Sequence, residues 1–160
     1  MSAPMTLAHN RWLKPLGYAG LTPFIGLSLM LWLQPAFLNT TLLAQALLSY
    51  SALIFSFLSG LLWFGSLVIG LHDQRQASQT LWISVVAMLW SWSWFWWAML
   101  APGLVFLAAG LSYLLLWVYE REILAHWYPQ GFFALRSRLS LVAAFSLWLA
   151  AMAVHFGGAL

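Results

Sequence analysis

Hydrophobic positions fall into five long runs, at residues 16–33, 42–71, 81–100, 104–119 and 139–156. No Asp, Glu, Lys or Arg interrupts any of them; their polar members are isolated Ser, Thr, Gln, Tyr and, near one end, His155. A membrane-spanning helix needs about 20 apolar residues, with a range of roughly 17–25. The pattern therefore predicts an all-α polytopic membrane protein, a bundle of five transmembrane helices over 16–33, 42–71, 81–100, 104–124 and 132–156. The second run is longer than a perpendicular crossing requires. It must tilt, kink or begin as an interfacial turn near Asn39-Thr40-Thr41. The fourth run is short, and Glu120-Arg121-Glu122-Ile123-Leu124 extends it as a helix beyond the membrane. Pro102-Gly103 makes a tight turn that pairs the third helix with the fourth as an antiparallel hairpin. Tyr128-Pro129-Gln130-Gly131 breaks the chain before the last helix. Pro23 deprives the carbonyl near Ala19 of its helical donor, which predicts a kink in the first helix. The first run is too long for a signal-peptide core and Gln34-Pro35-Ala36 is no cleavage site, so it is expected to stay uncleaved.

Charge gives this bundle an orientation. Apolar residues make up 64% of the 160 and charged residues 6%, far below the roughly 25% of a soluble chain. Arg11 and Lys14 precede the first helix, Arg75 lies between the second and third, and Arg121, Arg136 and Arg138 lie between the fourth and fifth. The other connections and the C-terminal segment hold no basic residue. The positive-inside rule then predicts a cytoplasmic N-terminus and a C-terminus on the opposite side of the membrane. The net charge of +3 reports this arrangement and not a nucleic-acid surface, because six scattered cations make no phosphate-binding stripe.

The candidate chemistry is sparse. With no cysteine, disulfides, thiolate metal sites and cysteine nucleophiles are excluded. No Asp, Glu, Lys or Arg lies inside any run, which argues against a proton pump or ion-coupled transporter. His72, Asp73, Glu120 and His126 form a candidate polar cluster at the cytoplasmic face, but their spacing matches no metal motif, and no metal or cofactor is expected. Tryptophan is in excess, with 12 in the chain and five between positions 90 and 97. Trp90, Trp94 and Trp97 share a helical face. With Trp63 they are candidates to line a pocket for a planar or apolar ligand of quinone, porphyrin or sterol type; the plainer reading is an interfacial aromatic belt. Two seams of small residues stand out. One runs through Ser56, Ser59, Gly60, Ser66 and Gly70, with Trp63 expected to fill a hole in a neighbouring helix. The other runs through Ala143, Ser146, Ala150, Ala153 and Gly157. Small residues let helices approach closely in lipid, so each seam is expected to be buried in the bundle or against a partner.

Leu16-Gly17-Tyr18-Ala19-Gly20-Leu21-Thr22-Pro23-Phe24, the stretch around Ser56-Phe57-Leu58-Ser59-Gly60-Leu61-Leu62-Trp63, and Tyr128-Pro129-Gln130-Gly131-Phe132-Phe133-Ala134-Leu135-Arg136 together resemble a small bacterial five-helix inner-membrane family with a mitochondrial relative, transmembrane protein 69. The resemblance covers most of the chain. It implies a multi-pass protein of an energy-transducing inner membrane, and no activity. Relatives often carry Gly-Gly-x-His/Arg-Trp-Gly in the second helix; here Ser59 stands for the first glycine and Leu62 for the basic residue. The chain is also similar, in helix number, length and tryptophan content, to the tryptophan-rich sensory (translocator) proteins, but Gln34-Pro35-Ala36-Phe37 does not match their proline-rich aromatic loop.

The leading expectation is a non-enzymatic structural or accessory protein, embedded in the lipid bilayer and packed against a membrane-protein partner or a second copy of itself. The second is a binding protein or carrier for an apolar planar ligand through the Trp-rich third helix. The third is an enzyme acting at the cytoplasmic face.

Overall fold

The computed structural model describes residues 12–34, 39–125, 128 and 131–157. Among these the chain is all helix: α1 (Leu13–Ala19), α2 (Thr22–Leu33), α3 (Thr40–Ile69), α4 (Gln74–Leu100), α5 (Pro102–Ile123) and α6 (Phe132–Gly157). Taken with α1 and α2 as one crossing, five helices are long and apolar enough to cross a membrane.

Local chemistry sets the boundaries. Asn39 caps α3, its side chain accepting from Thr41 N and Leu42 N. Thus the long second segment begins at its cap and runs unbroken for 30 residues. Asp73 caps α4 in the same way, accepting from Arg75 N and Gln76 N. That cap starts α4 well before the apolar run at 81, because the polar turn Gln74–Gln79 is helical although it is not hydrophobic. Pro102 opens α5, where its missing N–H costs nothing.

The first crossing breaks at Gly20–Leu21, one turn before Pro23. The carbonyls freed there find new donors. Thr22 Oγ1 donates to Ala19 O at 2.8 Å, and Tyr50 Oη on α3 donates to Gly20 O at 2.8 Å. A break in lipid survives when neighbouring side chains re-satisfy the backbone in this way.

The five crossings pack as a closed ring in chain order. The first (α2) lies against α3, α3 against α4, α4 against α5, α5 against α6, and α6 returns to α2. Although α4 and α5 are joined through Ala101 alone, α4 packs more extensively on α3, and α5 on α6. Every charged residue described lies at one end of the ring. Thr80–Tyr119, Arg136–Glu120 and Arg138–Tyr18 hydrogen bonds tie that end together.

Aromatic side chains with polar tips join most neighbours. Trp32 Nε1 donates to Leu149 O, Trp90 Nε1 to Ser112 Oγ, Trp117 Nε1 to Ser137 Oγ and Tyr113 Oη to Ser51 O, all at 2.8–2.9 Å. A bond between helices suits indole and phenol, which bury a large ring yet need one partner. The α3–α4 contact is built differently. On α4, Ala77, Thr80, Ser84, Ala87, Ser91, Trp94 and Ala98 recur at alternating three- and four-residue steps, and all but Trp94 are small. Ser59, Ser66 and Ser91 turn their hydroxyls onto their own helices' carbonyls, so these serines pack without orphaned polar groups. The outer surface is a belt of large apolar side chains such as Leu53, Phe57, Phe64, Trp82, Leu111 and Phe145. Water does not favour a face of that extent, and a lipid environment does.

Candidate functional site

The ring buries an ion pair at its charged end and holds a cavity at the other. At the charged end Glu120 and Arg136 are withdrawn from solvent, 0% and 5% exposed. Arg136 Nη2 donates to Glu120 Oε1 at 2.8 Å, and Nη1 donates to Ser140 Oγ at 3.3 Å. Glu120 Oε2 and Arg136 Nε have no protein partner among the described residues, so the contact is a single charged bond and not a two-pronged one. Leu124 and Leu135 are buried near the same helix ends. Tyr128 lies outside the crossings; burial, and secondarily the negative charge of Glu120, push its phenol up to about 12.

At the other end lies a cavity of about 670 Å³, within the usual range for small-molecule sites. All five crossings contribute to it. Leu31 and Gln34 come from α2 and its cap, Thr40 to Ser49 from one face of α3, Phe95 to Met99 from α4, Pro102 and Phe106 from α5, and Ala153 and Val154 from α6. Gln34, Thr40, Thr41 and Gln45 are exposed and form a polar rim. Leu31, Leu48, Phe106 and Ala153 are buried and form an apolar inner wall.

Aromatic residues lie beneath this wall. Phe24, Phe55 and Tyr113 each sit seven residues further in than Leu31, Leu48 and Phe106 on their own helices, about 10 Å at the helical rise. They form one cluster: Phe24 meets Tyr113 edge-on at 5.9 Å, and Phe55 meets Tyr113 at 5.2 Å and Trp94 at 5.2 Å. The cavity is a vestibule at the end of the ring, and this aromatic cluster lies deeper in the bundle beyond its apolar wall.

The four candidate tryptophans do not gather around one space. Trp94 is 1% exposed, packed on Phe55, with its Nε1 unpartnered among the described residues. Trp90 is bound to Ser112 at the edge of a smaller apolar groove between α4 and α5. Trp97 is half exposed, and Trp63 stands half exposed on α3 instead of filling a neighbour. The tryptophan helix supplies Phe95, Ala98 and Met99 to the cavity, and none of its indoles.

The candidate polar residues take different roles. Glu120 turns inward to Arg136, while His72 and Asp73 are exposed and Asp73 serves as a helix cap. His126 lies outside the described residues. No group of three or more His, Cys, Asp or Glu among the described residues could hold a metal ion.

Of the small-residue positions, Ser59, Ser66, Ala143, Ser146, Ala150 and Ala153 are buried, and Ser56 and Gly70 are half-buried. Gly60 faces open space and Gly157 ends α6. The seams do not meet each other. α3 faces α4 and α6 faces α5 and α2.

Three features escaped the sequence reading. The seam on α4 was legible in its alternating spacing. The Glu120–Arg136 bond joins residues 16 apart across a turn, with no local periodicity to announce it. The rim residues Gln34, Thr40, Thr41 and Gln45 look like ordinary interfacial polar residues until the ring brings them together.

Residues 10–152 match the family described as a protein of unknown function, DUF3429, and the chain belongs to that family. No curated protein and no solved structure matches it.

Proposed function

We propose that this DUF3429 member is a multi-pass inner-membrane protein that binds a small amphiphilic molecule in the vestibule at its uncharged end. One observation carries the reading: all five crossings line a single cavity of about 670 Å³ with a polar rim and an apolar wall. Ligand sites between helices of a bundle have this make-up, mostly apolar with a few placed polar groups. The reading moves the ligand from the tryptophan face of α4 to the ring interior. It involves no reaction, and it needs no metal or cofactor.

The scaffold alternative leaned on the small-residue seams. Those seams are largely occupied within the chain, and what remains outside is a face of large apolar side chains suited to lipid. The basic residues support placing the charged end in the cytoplasm, so the vestibule opens on the opposite side. The likeness to a bacterial family with a mitochondrial relative supports an energy-transducing membrane.

The test is extraction into polymer nanodiscs followed by mass spectrometry of the bound small molecules. The wild type should retain a near-stoichiometric amphiphile. Ala44→Trp and Ala153→Trp, which fill the vestibule from α3 and α6, should lose it while keeping a cooperative melt. Identical contents in wild type and both folded variants would refute the reading.

A further inference from the structure

Resting on the vestibule as the binding site, we infer that its ligand is an uncharged amphiphile, a hydrocarbon body with a hydroxyl or carbonyl head held at Gln34 and Gln45.

The lining excludes a charged head. Among the described residues no Asp, Glu, Lys, Arg or His lines the cavity. The buried charges stand well away: Glu120 lies 14 residues beyond Phe106 on α5 and Arg136 lies 17 before Ala153 on α6, about 20–25 Å at the helical rise. A carboxylate, phosphate or ammonium at the rim would find no counter-charge in the lining, and one drawn below it would also leave water, which is strongly unfavourable. Neutral groups fare differently. The rim offers amides and hydroxyls, which both donate and accept. The side chains of Gln34 and Gln45 make no hydrogen bond within the described chain, so their donors and acceptors are open to a ligand.

Gln34 adds a second, independent observation. It caps α2 in the left-handed region, at φ 40° and ψ 54°, and is the one non-glycine residue with positive φ among those described. Helices ending this way generally use glycine or asparagine, because a longer side chain is strained there. Here a glutamine holds the position, and its side chain lies on the rim of the vestibule. Backbone strain of this kind collects where a ligand is clamped. Below the rim, the apolar wall of Leu31, Leu48, Phe106 and Ala153 gives a hydrocarbon body its place.

Three diazirine probes of equal chain length test the class: an alkyl alcohol, an alkyl sulfonate and an alkyl trimethylammonium, photolysed on protein in phosphatidylcholine nanodiscs. The alcohol should label the α3 segment 40–49 saturably, be competed by unlabelled alcohol, and exceed both charged probes at least tenfold. Gln34→Gly with Gln45→Leu should cut that labelling several-fold, while Gln34→Gly alone raises the melting temperature by relieving the left-handed strain. Saturable labelling by a charged probe equal to the alcohol's, lost in Ala44→Trp, overturns the neutral class but leaves the vestibule as the site. Labelling by the alcohol that the glutamine substitutions leave unchanged overturns the head position. Labelling that persists in folded Ala44→Trp and Ala153→Trp, or no saturable labelling by any probe, overturns the vestibule and the inference together.

Discussion

Arg136 donates a 2.8 Å hydrogen bond to Glu120 across the α5–α6 connection, and neither side chain reaches solvent. A buried pair costs desolvation of both ions, so its worth shows when only one partner is removed. Arg136→Met should cost about 3–5 kcal/mol, because Glu120 is left buried without a counter-charge. The double variant Glu120→Leu, Arg136→Met should recover much of that loss. Reversible denaturant unfolding in mixed micelles measures all four corners of the cycle; equal losses in the single and double variants would contradict the pairing.

Gly110 and Gly60 make a contrasting pair. A Cβ built at Gly110 comes within 2.5 Å of Trp148 Nε1 and 3.0 Å of Ala144 O, at the close approach of α5 to α6. At Gly60 it meets nothing within 4 Å. Gly110→Ala should therefore destabilise by about 1–3 kcal/mol through overpacking. Gly60→Ala should be neutral or stabilise by up to about 1 kcal/mol through helix propensity. Melting curves of the two variants side by side decide the matter, and equal shifts would count against this packing.

Tyr128 has its phenol pushed up to about 12 by burial and by the charge of Glu120. A folded-state value above the ordinary 10.0 means that the fold favours the neutral phenol. Its contribution to stability is complete below about pH 10 and is lost as pH rises from there through 12. Difference absorbance at 295 nm between wild type and Tyr128→Phe should show late ionisation. Glu120→Gln should bring it earlier, because one of the raising influences is gone.

Tyr50→Phe removes the hydroxyl that donates to Gly20 O where the first crossing breaks. Interhelical hydrogen bonds in membrane proteins average about 0.6 kcal/mol and reach about 1.7. A loss inside that span, with amide exchange rising at Gly20–Phe24, is the expected result. No change in either would show that the break does not depend on α3.

The absence of cysteine makes topology directly measurable. Thr41→Cys should react with an impermeant maleimide from the side opposite the cytoplasm, and Ser78→Cys only after the membrane is opened. The reverse pattern would invert the orientation assigned from the basic residues.

How much was legible beforehand depends on the range of the interaction. The apolar runs announced five crossings, because each helix must bury its own backbone polar groups in lipid whatever its neighbours do. Pro23 announced the break in the first crossing for a similarly local reason, although it is Thr22 and Tyr50 that settle where the freed carbonyls go. The spacing of small residues showed which helix faces can approach closely. It did not show which faces meet, since a stripe of Ser, Ala and Gly fits any partner of similar shape.

The candidate site was less visible. Trp90, Trp94 and Trp97 share a face on the helical wheel, yet one is buried, one is bonded to Ser112 and one is half exposed. A wheel gives direction about one axis and says nothing of what stands opposite. By itself, then, the sequence determined the helices, their ends and the single charged end, all set by interactions within a few residues or with the solvent. Only the tertiary structure decided the ring order, the Glu120–Arg136 bond and the vestibule. Each of these depends on residues far apart in the chain meeting at one depth, and the packing of whole helices selects that meeting.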